Sequence, residues 1–295
     1  MNENTLEQDR FEQGDRPGGP FIMNLFFREY RDLPDSAEAL KIMTKHIGQT
    51  EATSKEKNIL GFAAKEYEVQ YKDGKVPPLL MITECTDEPY EANEIKRSQF
   101  WDCKESEEIF SDCKYRIIAV DMLAGGMNYK ERADMLIKYL YALMEMFPEC
   151  EAVIFENSGK MFTRENIVDC TIPDEDKFIY FAVNVRFFNI SDTNGDMIVD
   201  TLGMSTLLLP DLQYHFHGIN PDFVVNHAYN MLSYIFENDC PIKNNDYADG
   251  IKDGKMSREV QWKCRYEDSL IQPIRLVIDV DTGEYASGGR NYGDE

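Results

Sequence analysis

Two β-rich stretches in the second half of the chain, 178–190 and a run extending toward Leu209, flank Asp192-Thr193-Asn194-Gly195-Asp196. Asn-Gly readily adopts the left-handed backbone that a tight hairpin turn needs, so this segment ties the two runs into an antiparallel ribbon. With Asp192 opposite Asp196 and Thr193-Asn194-Gly195 as the loop, Asn184, Arg186 and Asp200 share one face, and Arg186 lies diagonal to Asp200.

The same grammar runs through the rest of the chain. Strands are expected at 21–27, 59–63, 67–71 and 79–83, with Lys72-Asp73-Gly74-Lys75 as the turn joining the last two. Further strands are expected at 115–120, 151–156, 212–217, 259–266 and 274–279. Helix starts are marked by Asp35 with Glu38, by Asn128 with Glu131, and by Asn220 followed by Pro221. Leu136, Leu140, Leu143 and Phe147 line one side of the second of these helices, and Pro148 stops it. Residues 91–112 read as helical, 157–177 as a polar connection, and the Asn- and Asp-rich stretch after the third helix as a loop.

Strands and helices mixed in this way, with short hairpin turns, predict an α+β fold. Its sheets are expected to be mixed but mostly antiparallel, with helices packed on one face and two intimately packed α+β halves. The expected boundaries are a flexible polar tail at 1–19, a single domain over 20–290 with halves at about 20–170 and 171–290, and a tail at 291–295.

Composition narrows the function classes. At 43% hydrophobic and 12% aromatic the chain has ample material for a core. The N-terminal residues carry no signal-peptide pattern, and no run is long and apolar enough to span a bilayer. The 7 cysteines are scattered without a Cys-x-x-Cys pair and read as reduced thiols of a cytoplasmic protein. A net charge of -23 disfavours ordinary nucleic acid and membrane surfaces and would attract a basic partner, while the spread of acidic residues along the chain favours the plainer reading of solubility. The oligomeric state is not legible.

Several residues are candidates for chemistry. Asp192, Asn194 and Asp196 alternate like the opening of a calcium loop, but Met197 and Gly203 stand where a turn glycine and a bidentate glutamate belong, so a plain hairpin turn explains them. Gln213, His215 and His217 alternate on one strand face, opposite Leu212, Tyr214 and Phe216. The two imidazoles can share a zinc or iron ion only with a third ligand, for which Asp211 or Asp200 are the nearest chemical candidates. No metal or other cofactor is expected on this pattern, and a hydrogen-bonded sheet face is the competing account. If the 212–217 strand lies beside the hairpin, Asn184, Arg186, Asp200, Asp211, Gln213, His215 and His217 gather into a polar patch that can bind an anionic or amide-rich ligand through the Arg186 fork. The alternative is an arginine–aspartate pair that holds sheet register.

Three phrases in the second half, Asn184-Val185-Arg186-Phe187-Phe188-Asn189-Ile190, Asp200-Thr201-Leu202-Gly203-Met204 and Leu209-Pro210-Asp211-Leu212-Gln213-Tyr214-His215-Phe216, together resemble the family called domain of unknown function 4261. Phe100-Trp101-Asp102, Cys113-Lys114-Tyr115, Asp246 to Ile251 and Pro273-Ile274-Arg275-Leu276-Val277-Ile278-Asp279 extend the resemblance from about Pro20 to Arg290. Before Asp246 the family pattern carries a glycine, where this chain has Asn244-Asn245. The resemblance implies a bacterial protein and one long domain; it implies no activity.

No Gly-x-Ser-x-Gly, phosphate-cradling glycine loop or Cys/His pairing is found. The expected function is therefore a non-catalytic binding protein, in its sharpest form immunity- or antitoxin-like against a basic partner. The alternative is a metal-dependent or small-ligand enzyme that uses the polar sheet face.

Overall fold

The computed structural model describes residues 19–288 except 55, 57, 72, 73 and 194. The tails expected at 1–19 and 291–295 therefore lie, Gly19 apart, outside the described residues, as do Lys72 and Asp73 of one expected turn and Asn194 of the other. The chain is α+β. It divides into two compact units between Asn184 and Val185, later than the boundary expected at 170/171.

The first unit contains, in order, β1 (Ile22–Phe27), α1 (Ser36–Ile47), β2 (Thr50–Ala52), β3 (Ile59–Ala64), β4 (Val69–Tyr71), β5 (Gly74–Val76), β6 (Leu79–Thr83), α2 (Glu94–Arg97), α3 (Ser106–Asp112), β7 (Tyr115–Met122), α4 (Tyr129–Met146), β8 (Ala152–Phe155), β9 (Lys160–Thr163), α5 (Arg164–Val168) and α6 (Lys177–Ala182). Seven strands form an antiparallel sheet in the order β2-β3-β6-β7-β1-β8-β9. On one face lie α1 and α4, where the Phe147 ring meets Phe27 edge-on at 5.9 Å. Glu145 of α4 holds both Lys45 and His46 of α1, at 2.6 and 2.7 Å. On the other face Phe26, Ala152 and Ile154 pack against Phe100, Cys103 and Ile109, which the short helices α2 and α3 bring in.

The capping signals are realised: Asp35 accepts from the Ala37 N–H, and Asn128 accepts from the N–H groups of Lys130 and Glu131. Other expectations are corrected. The 67–71 strand pairs with β5 in a separate two-stranded ribbon, whereas β6 pairs with β3. The polar 157–177 segment holds β9 and α5. The beginning of the expected 178–190 strand is helix α6, because a run apolar on every side carries no period to separate helix from strand. Phe178 and Phe181 are buried against Phe21, Phe155 and Phe162. Lys160, itself buried, closes the end of α6 by donating from Nζ to the carbonyls of Tyr180 and Val183, at 2.6 and 3.1 Å. Burial lowers its pKa, and Asp102, 3.6 Å away, opposes that shift.

The second unit contains β10 (Asn184–Asn189, whose first residue closes the first unit), β11 (Met197–Leu202), β12 (Asp211–Phe216), α7 (Pro221–Glu237), β13 (Tyr247–Lys252), β14 (Lys255–Asp268) and β15 (Leu276–Asp281). Its six-stranded sheet has the order β10-β11-β12-β15-β14-β13, and β12 and β15 are parallel. The strand expected to run toward Leu209 ends at Leu202 and gives way to a 3₁₀ turn, Met204–Leu207. The Asn- and Asp-rich loop expected after α7 leads into β13, and Asn245 there has φ 71°. Asparagine tolerates this left-handed backbone. α7 covers the face of β12 that bears Leu212, Tyr214 and Phe216, and buries Val224, Ala228, Met231 and Ile235 there. All seven cysteines are free thiols, and no helix among the described residues is long and apolar enough to cross a membrane.

If the Asn128 cap sets the start of α4, Asn128→Ala costs about 1 kcal/mol. The measurement is a shift in the urea unfolding midpoint, and an unchanged midpoint would show the cap to be dispensable.

Candidate functional site

Alternation along β12 sends Leu212, Tyr214 and Phe216 toward α7, so Asp211, Gln213 and His215 face the other way. Register then aligns a polar row across that second face. Asp200 pairs with Gln213, Gln213 with Asp279, and Asp279 with Arg265. At the hairpin the Ile190 N–H donates to the Asp196 carbonyl at 3.0 Å, and an antiparallel register continued from that bond places Arg186 directly opposite Asp200. The loop is thus longer than the three residues expected, and Arg186 moves from the diagonal to the facing position.

The centre of the row is a buried ion-pair network. Arg186 grips Asp200 with both Nε and Nη2, at 2.8 and 2.5 Å, and its Nη1 donates to the Gln272 carbonyl at 3.0 Å. Arg275 donates from Nη2 to Asp200 at 2.7 Å and to the Thr201 carbonyl, and from Nε to Asp211 at 3.2 Å. Its Nη1 reaches the carbonyls of Ile271 and Pro273, at 3.1 and 2.9 Å. Asp211 also accepts from the Thr201 hydroxyl and the Met204 N–H. Arg186, Asp200, Asp211 and Arg275 are all buried. Burial opposes the Arg275 charge, but Asp211 and Asp200 outweigh it and raise its pKa. Burial likewise pushes the Asp211 carboxyl up, against the pull of Arg275, the Met204 N–H and the Thr201 hydroxyl.

The same groups fasten the 269–275 loop over the sheet. Gln213 accepts from the Leu270 N–H at 2.6 Å while its amide donates to Glu267 at 2.8 Å, and Ser269 donates to the carbonyls of Ile271 and Pro273. Every nitrogen of both guanidinium groups is therefore engaged within the chain, and the arrangement acts as a brace between strands and loop.

Of the residues expected in the patch, Arg186, Asp200, Asp211 and Gln213 meet. Asn184 does not join them: its amide faces the carbonyls of Gln99 and Ser158, each at 3.4 Å, in the first unit. His215 shares the face but sits at its margin, with Nε2 3.9 Å from Asp196 and with Gly288 so close that a Cβ there would come within 2.3 Å of the ring. His217 lies beyond the end of β12 and is exposed, and its backbone N–H donates to the Tyr285 carbonyl. Among the described residues no three His, Cys, Asp or Glu side chains are placed to hold a metal ion. Sequence reasoning missed Arg275, Asp279 and Glu267. Their place depends on the parallel pairing of β15 with β12, a long-range contact that no local pattern announces; the one local signal is an arginine set among the apolar residues that enter β15.

Residues 200–281 match the family model described as Domain of unknown function (DUF4261). This is the family that the sequence phrases resemble. The matched segment runs from β11 through β15, and it holds the whole network except Arg186. No curated protein and no solved structure matches the chain.

The α7 face carries a second buried polar group. His227 accepts the Tyr214 hydroxyl on Nδ1 at 2.9 Å, donates from Nε2 to the Asp249 carbonyl at 2.7 Å, and packs against the Trp262 ring with centroids 4.8 Å apart. In the neutral imidazole Nδ1 is the acceptor, and burial lowers the His227 pKa below the ordinary 6.5, against the pull of Asp249.

Two outcomes are expected. Arg275→Met leaves the buried Asp211 carboxylate without its cation, while Asp200 keeps Arg186, and costs about 3–5 kcal/mol in urea unfolding; a loss below about 1 kcal/mol would show that the brace is not structural. A depressed histidine pKa gives stability that is present above the unfolded value of 6.5 and is lost as pH falls through the folded value. Between pH 7.5 and pH 5, chosen on each side of that ordinary value, wild type therefore loses more stability than His227→Gln, and equal losses would refute the linkage.

Proposed function

We propose that this protein works by non-catalytic binding of a basic protein partner in a reducing compartment. The observation that carries the reading is the occupancy of the polar sheet face. Arg186, the residue best suited to hold an anionic ligand, has all three nitrogens engaged by Asp200 and the Gln272 carbonyl, and Arg275 is similarly engaged. A ligand would have to displace buried charge pairs to reach those donors, which costs several kcal/mol. The net charge of -23 supports a partner of opposite sign, and seven unbridged thiols support the compartment. In its most specific form the reading is an immunity- or antitoxin-type protein that holds a basic target.

The test is capture of the partner by the tagged full chain at low ionic strength, followed by affinity measurements on the purified pair across a salt series. Affinity is expected to fall steeply as salt rises. A stoichiometric partner that is not basic, or an affinity independent of salt, would overturn the reading.

A further inference from the structure

The second unit has a concave surface that the polar face does not use. It lies between α7 and β13, the outermost strand of the sheet, and forms an open groove of about 720 Å³. Met231 and Tyr234 of α7 form one wall; Asp246, Tyr247, Asp249 and Met256 form the other. Tyr234, Tyr247 and Met256 are 47%, 62% and 41% exposed, an unusual gathering of large apolar groups in solvent. At the other end of α7 the Phe223 ring abuts the β13–β14 turn at Gly254, where a Cβ would come within 2.7 Å of it.

An outermost strand invites a partner to extend the sheet through its backbone. Here the carbonyl of Asp249 is already taken by His227, so an added strand would find that acceptor occupied. Recognition at this groove therefore falls to side chains. Tyrosine faces attract cations, methionine thioethers adapt to irregular shapes, and the two aspartates supply the negative charge. The single cation in the lining, Arg258, has a side chain 95% exposed and stands 3.8 Å from Asp249, a weak solvent-screened pair.

From these features we infer that the groove receives a lysine or arginine side chain from an exposed basic segment of the partner, with its aliphatic stem along Met231 and Met256 and its charge between the tyrosines and the aspartates. This rests on the binding reading above and assigns it a surface. Tyrosine and methionine are residue types enriched where protein interfaces concentrate their energy.

The test uses a random library of short displayed peptides selected against the full chain. The most enriched peptide is synthesised with a fluorophore and titrated by anisotropy against wild type, Tyr247→Ser, Met256→Ser and, as a control, Tyr30→Ser, an exposed aromatic of the first unit. The enriched peptides are expected to be rich in lysine or arginine. Their affinity should weaken by about tenfold or more in each of the two groove variants and stay unchanged in the control. The two groove substitutions fall on largely exposed side chains, and circular dichroism confirms folding of each. Basic peptides that bind both groove variants as tightly as wild type would overturn the groove and leave the binding reading standing. Selection that enriches only non-basic peptides, or none, would overturn the basic-partner reading and the groove with it.

Discussion

Two aspartates, Asp200 on β11 and Asp211 on β12, lie in the second unit with no solvent exposure, and Arg275 holds them both. Buried carboxylates without a cation would be protonated or would open the structure to water, so the geometry of this unit follows from where Arg275 must sit. Arg275 reaches both acids because β15 runs parallel to β12 and because the 269–275 loop turns back over the sheet. Arg186 completes the pairing from β10. A slip of one residue in any of these strands would send its polar residue to the α7 face, so the network also fixes register.

The two faces of the sheet solve opposite problems. Under α7 the chain buries an ordinary apolar layer, into which His227 is set, bridging Tyr214 and the backbone of β13. On the far side it buries charge, and the hydrogen-bonding capacity of that charge is spent on neighbouring strands and on the loop. Arg186, Asp200 and Asp211 are thereby tied to one another and to Arg275 inside the chain, while Tyr234, Tyr247 and Met256 stay exposed at the α7–β13 groove.

The hairpin shows how far sequence reaches. Gly195, in the left-handed region at φ 88°, turns the chain, and β10 and β11 pair as Asn-Gly implies. The closing pair is Ile190 with Asp196, outside the expected Asp192 with Asp196, because the Thr193 hydroxyl organises the loop by donating to the Ile190 carbonyl and accepting from the Asp196 N–H. That difference brings Arg186 into the position facing Asp200. The helix α6 was hidden for another reason: Phe178-Ile179-Tyr180-Phe181-Ala182 is apolar throughout, and its conformation is set by the aromatic core around it and by the Lys160 side chain at its end. The strand β13 was hidden within the Asn- and Asp-rich stretch that reads as a loop; its pairing with β14 is supplied by partners beyond the next turn.

The sequence by itself determined the α+β class, the caps of the longer helices, the existence of the hairpin and the acidic character of the chain, because each depends on side chains within a few residues of one another or on composition alone. Tertiary structure decided that Asn184 and His217 stand apart from Arg186, that Arg275 joins Asp200 and Asp211, and that a groove forms beside α7. Those outcomes depend on which distant strands become neighbours, and the energy that selects them comes from burying apolar surface while every charge buried with it is paired, which no local stretch of the chain can do.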